Sequence, residues 1–190
     1  PTGGPLKPYL DALNNILRLF FNLIASAVNS VVGEYGGRFI EFPNAKFFST
    51  TDQTASVINT AYALQFENTY LGEAISIVGT QITPLYSGVY NFELSVELTS
   101  GSASSKELSF WVRRSGVDIA NTARLHVVAG SGGVDNFEYS FTLDLTAGQY
   151  VELMWATDDL NITIDYQAAA SPRPAVPSTL LTVVFVSAVP

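Results

Sequence analysis

The chain contains no cysteine. Thiol catalysis, thiolate metal ligation and a disulfide framework are all excluded by that absence. Histidine is nearly missing too, since His126 stands alone. A two-histidine metal motif is therefore ruled out, and a single imidazole leaves little room for a Ser-His-Asp system. Charge is scarce: 14% of the 190 residues are charged, against roughly 25% in ordinary soluble domains. A monomer so poor in charge would leave much uncharged surface in water, which favours burial in an oligomer or a larger assembly. Basic residues are the scarcer sign, 9 against 17 acidic, for a net charge of −8. With no basic run, the electrostatic footprint of nucleic-acid binding is missing. No metal-ligand spacing is present either, so no cofactor is expected. The opening "PTGGPLKP" lacks a basic segment leading into an apolar core and a small-residue cleavage site, so no signal peptide is expected there.

What the chain does have is 47% hydrophobic residues, arranged in two distinct periods. The first is helical. "YLDALNNILRLFFNLIASAVNSVV" runs from Tyr9 to Val32. Pro8 stands where helices begin, Asp11 lies in the first turn, and Gly33 closes the pattern. Leu10, Leu17, Ile24 and Val31 share one heptad position, and Leu13, Phe20 and Ala27 share its partner. Ile16 and Leu23 widen this seam on one side, Phe21 and Val28 on the other. So wide a stripe suits a bundle of three or more helices, or docking into a larger assembly. Packing against the following domain is the alternative. A membrane span needs about 20 mostly apolar residues, and Asn14, Asn15, Arg18, Asn22 and Asn29 interrupt the run. Residues 1–37 are thus expected to form a helical segment for trimerisation or docking, and residues 38–190 a separate β head.

The second period is two. "VYNFELSVELT" places Tyr90, Phe92, Leu94, Val96 and Leu98 on one face and Asn91, Glu93, Ser95 and Glu97 on the other. "FEYSFTLDLTAG" repeats the alternation with Phe137, Tyr139, Phe141, Leu143 and Leu145. Val151, Leu153 and Trp155 follow after a turn at Ala147-Gly148. Leu108, Phe110 and Val112 face inward, so Ser109, Trp111 and Arg113 point outward. Short strands with one apolar face each predict an antiparallel sandwich, and about eight to ten of them suit a jelly roll.

One strand departs from this pattern. "TLLTVVFVSAV" is apolar on both faces from Leu180 to Val186, so its outer face should be covered as well. Near the start of the head, Tyr62, Leu64 and Phe66 alternate with the smaller Ala61 and Ala63 and with Gln65. Two such strands side by side would make a close-packed subunit interface. The expected trimer interface is therefore Leu10, Leu13, Leu17, Phe20, Ile24 and Val31 on the helix, with Tyr62, Leu64, Val183, Val184 and Phe185 on the head.

"SGVYNFELSVEL", "LSFWVRRSGVDIANTA", "FTLDLTAGQYVELMWA" and "PAVPSTLLTVVFV", taken in this order, resemble the head domains of the C1q/TNF-like jelly-roll superfamily. The versions carried by phage virion proteins are the nearest in kind. The resemblance covers roughly residues 55 to 189. It implies a threefold trimer with the first and last strands at the axis. No collagen repeat is expected before the head, unlike in C1q relatives, and no signal peptide or membrane stalk, unlike in TNF relatives. A virion protein is therefore expected, in preference to a soluble receptor-binding ligand.

Candidate sites are few. Arg113 and Arg114 are adjacent on a strand and point to opposite faces, so they cannot form one clamp. They read as the shoulder of a hairpin turning at Ser115-Gly116, with Arg113 the candidate contact for an anion or glycan. Asp158, Asp159 and Asp165 in "TDDLNITID" could ligate calcium or simply make a turn. His126 sits on a strand face. Glu93, Glu97, Glu138 and Asp144 face outward with no paired register, so no glycosidase pair can be read from them. "SGSASSKE" and "GSGG" read as flexible loops and contact candidates. The expectation is a non-enzymatic homotrimeric virion protein: a short fibre, knob or capsid-decoration protein at the capsid or tail surface. Its helix would dock on other virion proteins, and its head would be a candidate for host-surface glycan attachment. A receptor-binding ligand and a carbohydrate-active enzyme are the alternatives.

Overall fold

A computed structural model describes residues 6–32 and 42–188, with side chains of the helix described as far as residue 28. Two units are distinguished, residues 1–41 and 42–190. The expected boundary at residues 37 and 38 lies outside the described residues.

The first unit is helix α1 (Lys7–Val32). At 1.5 Å per residue its 26 residues extend about 39 Å. Lys7 begins it, two residues earlier than the apolar period, so Asp11 falls just past the first turn and pairs with Lys7 at 2.9 Å. Every described side chain from residue 6 to 28 is exposed. The seam residues Leu10, Leu13, Leu17, Phe20 and Ile24 are 42–56% exposed. The side chain of Val31 lies outside the described residues. Among the described residues, no helix is long and apolar enough to cross a membrane.

The second unit opens with β1 (Asn44–Ser49), β2 (Gln53–Thr54), β3 (Tyr62–Ala63), β4 (Asn68–Glu73), β5 (Ile75–Val78) and β6 (Gln81–Pro84). The long strands β7 (Gly88–Ser100) and β8 (Lys106–Arg114) follow, then β9 (Val117–Asp118) and β10 (Arg124–Val128). Strands β11 (Val134–Leu145), β12 (Val151–Thr157), β13 (Ile162–Ile164) and β14 (Thr179–Ser187) complete the head.

They form two antiparallel sheets. In the first, β7 lies between β11 on one side and β14 on the other, and β1 and β4 follow β14. Beyond the end of β14, β13 takes over the same edge of β7 and carries β2. The second sheet runs β10-β8-β12-β6-β5, with β3 also on β12 and β9 on β8. If β1, β6, β7, β8, β10, β11, β12 and β14 are numbered one to eight, the two orders are 1-8-3-6 and 2-7-4-5. That is the jelly-roll arrangement of interlocked Greek keys.

The period-two pattern decides what lies between the sheets. Along β7, Tyr90, Phe92, Leu94, Val96 and Leu98 are all buried, and Leu108, Phe110 and Val112 on β8 face them. Phe110 of one sheet stacks on Phe137 of the other at 4.1 Å, and Phe92 stacks on its neighbour Phe141 at 4.9 Å. Tyr90 is buried with them, but its hydroxyl reaches the Tyr86 carbonyl at 2.7 Å, so the polar tip is satisfied. Burial also pushes its ionisation upward.

Two expectations about the interface need correction. Tyr62 and Ala63 do not lie beside the last strand: β3 pairs with Met154 and Trp155 of β12 in the second sheet, whereas β14 runs between β7 and β1 in the first. Moreover, Leu64 and Val183 are buried within a single chain, 0% and 1% exposed, so both belong to its core and neither is open to a neighbour. On its other edge β14 meets β1, whose short "NAKFFS" turns Ala45, Phe47 and Ser49 inward. Phe185 turns inward onto the Tyr90 ring at 5.5 Å, and a bulge follows it. Val184 points outward and is 42% exposed.

The start of β7 is a close approach in this packing. A Cβ at Gly88 would lie 2.4 Å from the Phe185 ring and 3.0 Å from the Ser187 carbonyl. Gly88→Ala should therefore destabilise the head by about 1–3 kcal/mol, as overpacking does, measured as a lowered midpoint in denaturant.

Candidate functional site

The hairpin of β8 and β9 turns at Ser115 and Gly116, which both have positive φ, +49° and +83°. Two successive left-handed residues make the type I′ geometry that suits a two-residue hairpin. The turn sets Arg113 opposite Asp118 and Arg114 opposite Val117. Arg113 Nε donates to Asp118 Oδ1 at 2.8 Å, and Trp111 Nε1 donates to the same oxygen at 2.9 Å. Hydrogen bonds from Arg113 and then from Trp111 hold the Asp118 carboxyl below its usual range, and the carboxylate in turn raises Arg113. Arg114 leaves on the other face and donates to the Asp144 carbonyl at 3.1 Å, with the Asp144 carboxylate at 3.5 Å. Arg113, the candidate ligand contact, is thus engaged by its own hairpin.

The other candidates are engaged singly and do not converge. His126 Nε2 lies 2.9 Å from Asp135 Oδ2, a link between edge strands β10 and β11. Asp158 accepts the Glu107 amide at 3.1 Å. Asp159 accepts the Asn161 amide at 2.7 Å and pairs with Lys106 at 3.2 Å. Hydrogen bonding led by the Asn161 amide holds the Asp159 carboxyl far below its usual range. Asp165 is displaced the other way, by burial first and then by the nearby charge of Asp52. Among the described residues, no three His, Cys, Asp or Glu come together as metal ligands. "SGSASSKE" and "GSGG" are not free loops. Ser100 accepts from the Gly132 amide and donates to the Gly133 carbonyl, and the Ser131 amide bonds Ser102. Each loop satisfies the other's backbone, and Ser100 and Ser102 are buried.

Two surfaces remain. One is the outer face of the first sheet. Its β11 and β7 half presents Glu93, Ser95, Glu138 and Ser140. Its β14 and β1 half presents Leu180, Thr182 and Val184 beside Phe48, Lys46 and Asn44. Lys46 Nζ lies 5.7 Å from the centre of the exposed Tyr70 ring.

The other surface lies where the chain crosses from β2 in the first sheet to β3 in the second. The Gln53 carboxamide closes this crossing, with Nε2 donating to the Gln65 carbonyl at 3.1 Å and Oε1 accepting the Gln65 amide at 2.9 Å. The Tyr62 hydroxyl accepts the amides of Ser56 and Val57 at 3.1 and 2.8 Å, and its ring rests on Trp155 at 5.6 Å. A hydrogen bond with the Ser56 hydroxyl is the largest influence on Tyr62 and lowers its ionisation. Glu67 accepts from the hydroxyls of Ser49 and Thr51. Burial works to raise its ionisation, and those hydroxyls outweigh it, so the Glu67 carboxyl sits below its usual range. Sequence reasoning passed over Asp52, Gln53, Gln65 and Thr80. They come from three separated stretches, and each alone is an ordinary polar loop residue. No protein-family model and no curated protein sequence matches the chain.

Gly116→Val should cost about 1 kcal/mol or more, because a β-branched residue at positive φ is strained. Arg113→Ala should cost less than about 1 kcal/mol, as exposed ion pairs do. Thermal melts of the two variants separate these outcomes. The pH response follows from the carboxylates. Asp118, Asp159 and Glu67 ionise lower in the folded chain than in the unfolded one. Their contribution is present above about pH 4 and is lost as pH falls through the folded values. Asp165 opposes them, since its raised folded value favours the folded state at low pH. The Asp159 displacement is the large one among the four, so the melting temperature should fall on acidification below about pH 4, and Asp118→Asn should flatten that fall.

Proposed function

We propose that the chain is a non-enzymatic structural protein of a phage virion: a homotrimeric short fibre, knob or decoration protein at the virion surface, with its head exposed for host-surface glycan attachment. The observation that carries this reading is the apolar surface left open on a single chain. The α1 seam of Leu10, Leu13, Leu17, Phe20 and Ile24 has a heptad period, and that period belongs to helices that pack on one another. On the head, Val184 is exposed among Leu180, Thr182 and Phe48 on the outer face of the first sheet. Low overall charge agrees with burial of both surfaces in an assembly. The strand orders 1-8-3-6 and 2-7-4-5 support the C1q/TNF-like resemblance, in which such heads associate as trimers. A helix of about 39 Å suits a short stalk that docks on another virion protein. The engagement of Arg113, Arg114 and Asp159 in separate local ion pairs supports a scaffold in place of a catalytic centre.

Light scattering on the purified chain should give three times 20.5 kDa. Leu17→Asp together with Ile24→Asp should shift the mass toward the monomer while the β-sheet circular dichroism of the head persists. A clean monomer of the unaltered chain at micromolar concentration would overturn the trimer.

A further inference from the structure

Two open depressions meet at the crossing between β2 and β3. One, of about 430 Å³, has Asp52, Gln53 and Tyr62 on its walls and Trp155 beneath. The other, of about 470 Å³, contains Glu67. Gln65 and Thr80 line both, so the two adjoin as a groove. Its size suits a small-molecule site.

The lining has a definite chemistry. It offers two carboxylates, two carboxamides and hydroxyls beside the Tyr62 ring, and neither depression is lined by a lysine or arginine. Carboxylates and carboxamides accept or donate two hydrogen bonds in one plane, which matches neighbouring hydroxyls on a sugar ring. A half-exposed tyrosine gives an apolar ring face beside a polar tip. An anionic sugar or a phosphate would meet Asp52 and Glu67 with no cation to offset them.

The groove is also built in advance. Asp52 Oδ1 is held by the Tyr166 amide at 2.8 Å, which leaves its second oxygen for a ligand. Thr80 Oγ1 is oriented by Glu152 at 2.7 Å. The Gln53 and Tyr62 bonds fix the remaining wall. Side chains already ordered lose little further freedom on binding.

We infer that this groove binds a neutral oligosaccharide, with the Tyr62 ring under one sugar face and Asp52, Gln65 and Thr80 taking its hydroxyls. The inference rests on the glycan-attachment half of the proposed function and moves that role from Arg113 on β8 to the crossing between β2 and β3 beside β12.

The test titrates the full chain with chitotetraose, cellotetraose, maltotetraose and mannotetraose, followed by calorimetry and saturation-transfer NMR, with sialyllactose as the anionic control. At least one neutral tetrasaccharide should bind below about 5 mM. Asp52→Ala should weaken that binding roughly tenfold and Thr80→Ala roughly threefold, while Arg113→Ala leaves it unchanged. Melting temperatures of the variants check that each still folds. The inference is overturned if none of the four binds, if Asp52→Ala and Thr80→Ala leave affinity unmoved, or if sialyllactose binds more tightly. Light scattering on the same samples reads the trimer separately: lost binding at unchanged mass removes the groove alone, and a monomer that still binds removes the trimer alone.

Discussion

Everything in the head hangs on β7. Its 13 residues pair with β11 along one edge and with β14 and then β13 along the other. Its inner face supplies five consecutive alternate apolar side chains, all buried. A strand that pairs on both edges and buries one whole face cannot slip by one residue without turning those five side chains to solvent. The register of its neighbours is therefore pinned by β7. The stacked pairs Phe110 with Phe137 and Phe92 with Phe141 then fill the space its inner face defines. The close approach at Gly88 exists because β14 must bring Phe185 down onto Tyr90 at the same end.

With the core so committed, the charged groups are left to serve local geometry. Asp118 ties Arg113 and Trp111 into one hairpin, and Asp144 receives Arg114 from the far face. The adjacent arginines serve opposite faces, as the pleat of the strand requires. Asp159 and Lys106 staple a loop to the start of β8 in the same way. These contacts sit at or near the surface, so each adds little to stability alone. Their effect is to fix turns and strand ends, and so to keep the outer surfaces of the head in one shape.

The surfaces that carry the functional reading differ in kind. The helix seam and the outer face of β14 are apolar and exposed, and such surface in water favours association. The groove at the β2 and β3 crossing is polar, concave and already hydrogen-bonded to itself, which suits a small polar ligand. An assembling surface and a recognising surface are the two parts that a structural attachment protein requires.

The fold class was legible in the residues because period is local. Alternation in "VYNFELSVELT" and "FEYSFTLDLTAG" states which face is buried before any partner is known, and the heptads of α1 mark one apolar face of a helix that a single chain leaves exposed. Cysteine, histidine and charge counts likewise bounded the chemistry without a structure. Partners were not legible, because pairing depends on residues far apart in the chain. Tyr62 to Phe66 and Leu180 to Val186 were alike in being apolar, yet β3 joined the second sheet, β14 the first, and Leu64 and Val183 went to the core. Alternation fixes a strand's faces and says nothing of which sheet receives it. The groove was hidden for the same reason. Asp52, Gln65 and Thr80 are unremarkable polar residues in sequence, and only the crossing between the two sheets brings them to one wall.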